Sequence, residues 1–131
     1  MLKSGILNPA LLSLLAKVRH TNLLVIADRG FPYWPAIETV DISLVDGIPT
    51  VLQVVNALRP AYDFTQAYMA QEFLGENTPA VLEQFKTALT GISLAYEPHV
   101  DFKKRVPQAI GLIRTGDVTQ YANLILVSGR P

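Results

Sequence analysis

The chain contains no cysteine. That excludes a disulfide framework, a thiolate metal site and a cysteine nucleophile. Net charge is absent too, with 11 basic and 11 acidic side chains in balance. Neither nucleic acid nor an acidic membrane surface draws in a neutral protein at long range, so neither is an expected partner. No apolar run approaches the ~18 residues that a membrane-spanning helix needs. The opening Met1-Leu2-Lys3-Ser4-Gly5-Ile6 shows no long apolar segment followed by a small-residue cleavage site. A cytoplasmic protein is the expectation.

Other signatures are also missing. Gly111-x4-Gly116 lacks the following lysine and the preceding strand of a phosphate-binding loop. No H-E-x-x-H occurs, and two distant histidines make a weak case for a metal. Ser4, Ser13, Ser43, Ser93 and Ser128 sit in no nucleophile-elbow context. Neither a metal nor a cofactor is expected.

What remains is a chain of 131 residues, half of them hydrophobic and 17% charged. That length fits one domain, residues 1–131, able to bury roughly two-thirds of its unfolded surface. The high apolar content points to surface buried against other subunits.

Asn8-Pro9 predicts a helix start, with Asn as cap and Pro at the first helical position. Leu11, Leu12, Leu15 and Val18 follow as one apolar stripe. Leu23 to Ala27 is an unbroken apolar run and reads as a strand buried on both faces, stopped by the turn residues Asp28-Arg29-Gly30-Phe31-Pro32. Ile37 to Leu44 predicts a second strand, and Asp46-Gly47 a turn. A helix from Pro49 or Thr50 carries Val51, Leu52, Val54, Val55 and Leu58. Asp63 to Ala70 is a strand candidate. Thr78-Pro79 opens a helix with Leu82, Phe85 and Leu89 on one face, ending at Gly91. Ile92 to Tyr96 is a further strand candidate. His99 to Arg114 is expected to be helical in two pieces, broken near Pro107 and ended by Gly116-Asp117. Leu124 to Val127 is a last buried strand, which Gly129 ends. Alternating helices and strands, several of them continuous apolar runs, predict an α/β layered fold with a largely parallel or mixed sheet.

Ligands of open α/β sheets bind on loops beyond the strand ends. Three polar clusters occupy such places: His20 with Asp28 around the first strand, His99 with Lys103 four residues on, and Tyr121-Ala122-Asn123 before the last strand. Histidine, with an ordinary pKa near about 6.5, exchanges protons at neutral pH. From position alone each histidine is as well explained as a surface residue. Asp28 doubles as a turn former, and Lys103-Lys104-Arg105 as a solvated basic face. Phe31, Tyr33 and Trp34 form an aromatic cluster for which core packing or a subunit contact outweighs sugar stacking.

Taken in order, these pieces resemble one family. They are Lys3-x-Gly5-x-Leu7-Asn8, His20-Thr21, Leu24-Val25-x-x-Asp28 and Gly30-x-Pro32. Then come Asp41-x-x-Leu44-x-x-Gly47-x-Pro49 with Gln53-Val54, and His99-x-x-Phe102-Lys103. Ile113-Arg114-Thr115-Gly116-Asp117 and Tyr121-Ala122-Asn123-Leu124-Ile125-Leu126 close the set. The chain resembles the D-ribose pyranase / L-fucose mutarotase family over nearly its whole length. The resemblance implies a three-layer α/β/α sandwich and an isomerase that interconverts ring forms of a free monosaccharide. It implies His20 as proton donor, and Asp28, His99 and the Tyr121-Ala122-Asn123 segment as sugar-binding groups, with Lys103 beside them. It also implies ring-like homo-oligomers, often decamers, with sites at subunit boundaries. Opening a hemiacetal needs one group to protonate the ring oxygen and another to take the anomeric proton. His20 suits the first task. Asp28, His99 or a bound water suits the second. Arg19, Arg29 and the bulky Tyr33-Trp34 depart from the family pattern, and a charged side chain at either arginine could narrow the pocket or hold an anionic sugar. The Tyr-Ala-Asn segment leans to the ribose-type branch. The other class of function on this scaffold is a non-catalytic sugar-binding or transport-accessory protein.

Overall fold

The computed structural model describes residues 1–129. The first helix, α1 (Pro9–Leu15), starts as expected: the Asn8 side chain accepts from the Leu11 amide at 3.0 Å, and Pro9 follows it. Its buried stripe is Leu11, Leu14 and Leu15, continued by Val18 beyond the helix. Leu12, expected in that stripe, lies one step round the helix and is exposed. Leu14 packs in its stead.

Strand β1 (Leu23–Ala27) is where the apolar run placed it. The next strand, β2 (Glu38–Asp41), is shorter than the expected Ile37–Leu44. Asp41 ends it, because its carboxylate accepts from both the amide and the hydroxyl of Ser43 and turns the chain locally. Helix α2 (Val51–Leu58) opens on a capping box: Thr50 and Gln53 each bond the other's backbone amide, at 3.1 and 2.8 Å. After β3 (Phe64–Ala70) comes a short helix that the sequence did not reveal, α3 (Glu72–Glu76). Thr78 caps α4 (Pro79–Ala88), and β4 (Ser93–Glu97) follows.

The segment His99–Arg114 departs from expectation. Only α5 (His99–Arg105) and a 3-10 turn (Val106–Gln108) are helical; β5 (Gly111–Arg114) is a strand. Pro107 does break the helix, but the chain then enters the sheet between β1 and β2. The position suits glycine: a Cβ on Gly111 would stand 2.5 Å from a Leu14 methyl carbon. Gly116-Asp117 therefore ends a strand rather than a helix. The last strand is β6 (Leu124–Ser128).

The sheet order is β2-β5-β1-β6-β3-β4. Only β6 runs antiparallel to its neighbours, β1 and β3. Side chains alternate across it, as the pleat requires. Leu24, Ile26, Ile113, Leu124 and Leu126 join one core with α1, α2, α3 and α4. Val25, Ala27, Leu112 and Ile125 join a second with α5 and the 3-10 turn. Helices thus cover both faces, giving the three-layer α/β/α architecture. Among the described residues, no helix is long and apolar enough to cross a membrane.

Candidate active site

Because β6 is antiparallel to β1, with Ile26 opposite Leu124, the end of β1 meets the start of β6. Asp28 leaves β1 there and Asn123 enters β6. The Asp28 amide donates to Asn123 Oδ1 at 2.7 Å, and Asn123 Nδ2 donates to Asp28 Oδ2 at 3.2 Å. The other carboxylate oxygen accepts from the Gly30 amide at 2.9 Å. Burial raises the Asp28 pKa above its ordinary 3.8; the Gly30, Asn123 and Phe31 contacts pull the other way, and the nearby Asp117 carboxylate pushes it up further. Asp28 is thus a carboxylate with heightened basicity, held in one orientation.

These residues open onto a pocket of about 340 Å³ at the strand ends. One wall is the Asp28–Pro32 loop; another is the Asp117–Tyr121 loop with Asn123; His99 supplies a third. A free pentose or hexose is small enough to enter a cavity of this size. Tyr121 adopts the left-handed conformation, φ 54°, at the loop tip. Its ring meets the His99 imidazole edge to face, with centroids 5.1 Å apart. Phe31 and Phe102 flank the imidazole at 6.2 and 5.9 Å. His99 Nε2 is shut from solvent and has no hydrogen-bond partner among the described residues. An imidazole nitrogen so placed is an open donor or acceptor for a bound hydroxyl. Burial lowers the His99 pKa below 6.5, Lys103 lowers it further, and Glu72 and Asp28 oppose the change. His99 is therefore mainly neutral at pH 7.

The structure brings Asp28, His99, Tyr121 and Asn123 together. Ala122 is fully buried between two of them, so only its backbone is on offer. Lys103 acts on His99 electrostatically without lining the pocket. His20 is not gathered in. It is exposed on the turn before β1, while Asp28 follows that strand. Five strand residues at about 3.3 Å each keep the two about 16 Å apart. Within one chain His20 cannot orient Asp28 or share its proton. Arg19 stays beside it, donating to the carbonyls of Ala16 and Val18 at 2.5 and 3.1 Å, so it does not narrow this pocket. Arg29 does line the pocket and pairs with Asp46 at 2.6 Å. Phe31 is buried and edge-on to Phe102, and Trp34 packs beside it, so the packing reading holds for both; Tyr33 is exposed.

Three supports escaped the sequence reading. Glu72 on α3 accepts the His99 amide at 3.0 Å and so caps α5. Asp117, 4% exposed, accepts from the Val51 amide that opens α2 and from Thr119, both at 2.8 Å. Gly116 lies so close to the Val45 and Ile48 carbonyls that a Cβ would collide with both. The segment Arg114–Asp117 signalled them only as a motif.

A six-stranded α/β/α protein with a carboxylate–amide pair and an unpartnered imidazole around a pocket at the strand ends belongs to the class of α/β proteins that bind a small ligand beyond the edge of the sheet. The comparisons with known proteins narrow this. The model of the RbsD / FucU transport protein family matches residues 1–131, and the chain belongs to that family. It is 40% identical over 129 residues to the D-ribose pyranase of Geobacillus kaustophilus (strain HTA426), covering 98% of this chain and 94% of that protein. It is also 40% identical over 131 residues to the D-ribose pyranase of Halalkalibacterium halodurans, covering 98% of each. The structure of Bacillus subtilis RbsD complexed with D-ribose superposes with a TM-score of 0.92 at 32% identity, covering 100% of this chain and 99% of that one. The fucose mutarotase of Streptococcus pneumoniae, solved with L-fucose, shares the fold: TM-score 0.80 at 20% identity, over 95% and 94% of the two chains.

Proposed function

We propose that this protein is an isomerase that interconverts ring forms of a free monosaccharide of the D-ribose type. The observation that carries the reading is that the Asp28–Asn123 pair and His99, whose Nε2 has no partner among the described residues, line one small pocket. This geometry sits in a chain 40% identical to D-ribose pyranases over nearly its full length.

Converting a pyranose to a furanose opens the hemiacetal. The anomeric hydroxyl loses its proton, the bond from C1 to the ring oxygen breaks, and that oxygen gains a proton. A different hydroxyl then attacks the aldehyde and the proton traffic reverses. Asp28, more basic than an ordinary aspartate, takes the anomeric proton in its carboxylate form. Asn123, Tyr121 and neutral His99 hold the other hydroxyls. A positioned acid–base pair contributes roughly 100- to 10,000-fold, and orientation adds to it.

His20 is our proton donor to the ring oxygen. Since it lies about 16 Å from Asp28 in the same chain by strand rise, it serves the pocket of a second copy. This agrees with a homo-oligomer, a ring such as a decamer, with sites at subunit boundaries. Exposed Val118 on the pocket wall, and exposed Leu44, Val45 and Ile48 on the turn that packs against Gly116, are apolar surface suited to a subunit contact. We read the whole chain as one cytoplasmic sugar-binding unit that works without a cofactor.

The isolation of His20 in a single chain also favours a second reading, a sugar-binding protein without catalysis. Mixing two inactive variants decides between them. Ring exchange of D-ribose, followed by saturation-transfer NMR, should be weak for His20→Ala and for Asp28→Asn alone. It should reappear when the two are unfolded and refolded together, because some pockets then combine an intact His20 with an intact Asp28. Undiminished exchange by His20→Ala removes His20 from the mechanism. Binding of ribose with no exchange by the unaltered protein establishes the second reading.

A further inference from the structure

We propose that Arg114 is a positioning residue for the sugar pocket: its guanidinium holds the Asp28–Pro32 loop in the shape that forms one wall. The inference rests on the pocket being the sugar site, and adds a residue that touches neither substrate nor reacting atoms.

Arg114 ends β5 directly opposite Ala27, the last residue of β1, so its side chain starts beside the point where the loop leaves the sheet. Its Nη1 donates to the Phe31 carbonyl at 2.6 Å and, more loosely, to the carbonyls of Arg29 and Asp28 at 3.3 and 3.4 Å. Nη2 donates to the Pro32 carbonyl at 3.4 Å. On the far side, Nε lies 3.9 Å from an Asp41 carboxylate oxygen. The side chain is only 11% exposed. All the residues from Asp28 to Pro32 line the pocket. One guanidinium therefore serves four carbonyls of the wall that carries the proposed base.

The loop has little else to hold it. Its other bonds are the Gly30 and Phe31 amides to the Asp28 carboxylate, the Arg29 amide to the Asp117 carbonyl, the Asp28–Asn123 pair, and the exposed Arg29–Asp46 ion pair, which leaves the loop's carbonyls untouched. A planar fork with five donors can span several carbonyls at once; a lysine ammonium is a compact point charge and cannot reach them together. Loosening the fork frees the loop, moves Asp28 relative to His99, and weakens the Gly30 bond that favours the charged carboxylate.

Arg114→Lys tests this while keeping the charge. It should fold, with cooperative thermal unfolding near that of the unaltered protein. Its kcat/KM for D-ribose ring exchange should fall roughly 10- to 100-fold, the scale of a displaced catalytic group. The acid limb of its pH–rate profile should move to higher pH, which a fault elsewhere in the fold would not cause, since Asp117, His99 and Arg29, the other charged and titratable groups around Asp28, are unchanged. Activity within twofold of normal with an unmoved acid limb overturns the proposal. A second measurement needs neither a variant nor a substrate. In nitrogen-detected NMR of the unaltered protein, the Arg114 guanidinium should show separate, slowly exchanging Nη signals. Averaged signals like those of a free arginine overturn it. That readout stands even if D-ribose exchange proves unaffected by the protein, a result that would sink the functional reading alone.

Discussion

Asp28 and Asn123, far apart in sequence, exchange two hydrogen bonds in opposite directions: backbone amide to side-chain oxygen at 2.7 Å, and side-chain amide to carboxylate at 3.2 Å. The pair ties the end of β1 to the start of β6 and fixes the carboxylate on the pocket wall. Asn123→Ala removes both bonds and leaves the Asp28 amide without its acceptor. An orphaned buried amide costs about 1–3 kcal/mol. The variant should lose stability on that scale in urea unfolding and lose most of its D-ribose exchange. Its acid limb should move upward, because the lost bond favoured the charged carboxylate.

In the unaltered protein, the same limb reports Asp28. Its pKa is raised, chiefly by burial, so the carboxylate takes up a proton at a pH above the ordinary 3.8. Activity that needs the ionised form should fail on acidification at a pH higher than 3.8. A pH–rate profile flat down to about pH 4 would contradict the role given to Asp28.

His99 shifts the opposite way. Its pKa is lowered from 6.5 by burial and by Lys103, so the folded state binds this proton less tightly than the unfolded chain. The stability it contributes is whole above pH 6.5 and is lost as pH falls through the lowered folded value. A proton NMR titration of the imidazole should place His99 below 6.5, and D-ribose should perturb its Nε2-side resonance.

Asp117→Ala separates scaffold from chemistry. The carboxylate accepts from the amides of Val51 and Thr119, so it caps α2 and shapes the pocket loop together. Losing one buried and one part-buried bond to the carboxylate should cost about 2–4 kcal/mol in thermal or urea unfolding. Loss below about 0.5 kcal/mol would show that water replaces the carboxylate freely.

Much of this was legible in the sequence, for local reasons. Asn8-Pro9, Thr50 and Thr78-Pro79 announce helix starts because caps act within a few residues. The run Leu23–Ala27 announces a buried strand because both faces of the sheet are covered. Asp28, His99, Tyr121 and Asn123 stood out as polar residues at element ends. Strand β5 did not. Gly111–Arg114 has too few residues to show a period, and its strand character comes from β1 and β2 on either side. Leu12 was misassigned because the stripe repeats at both three and four residues, and only packing selects Leu14. The work of Arg114, Asp117 and Glu72 depends on partners distant in sequence, which no local pattern displays. The separation of His20 from Asp28 followed only once β1 was seen to lie between them.

The central claim is that this pocket catalyses exchange between ring forms of a free sugar. Saturation-transfer NMR on D-ribose, with and without the protein at neutral pH, tests it most directly. The account predicts faster magnetisation transfer between pyranose and furanose signals in the presence of the protein, abolished by Asp28→Asn. Transfer rates identical with and without the protein would contradict it.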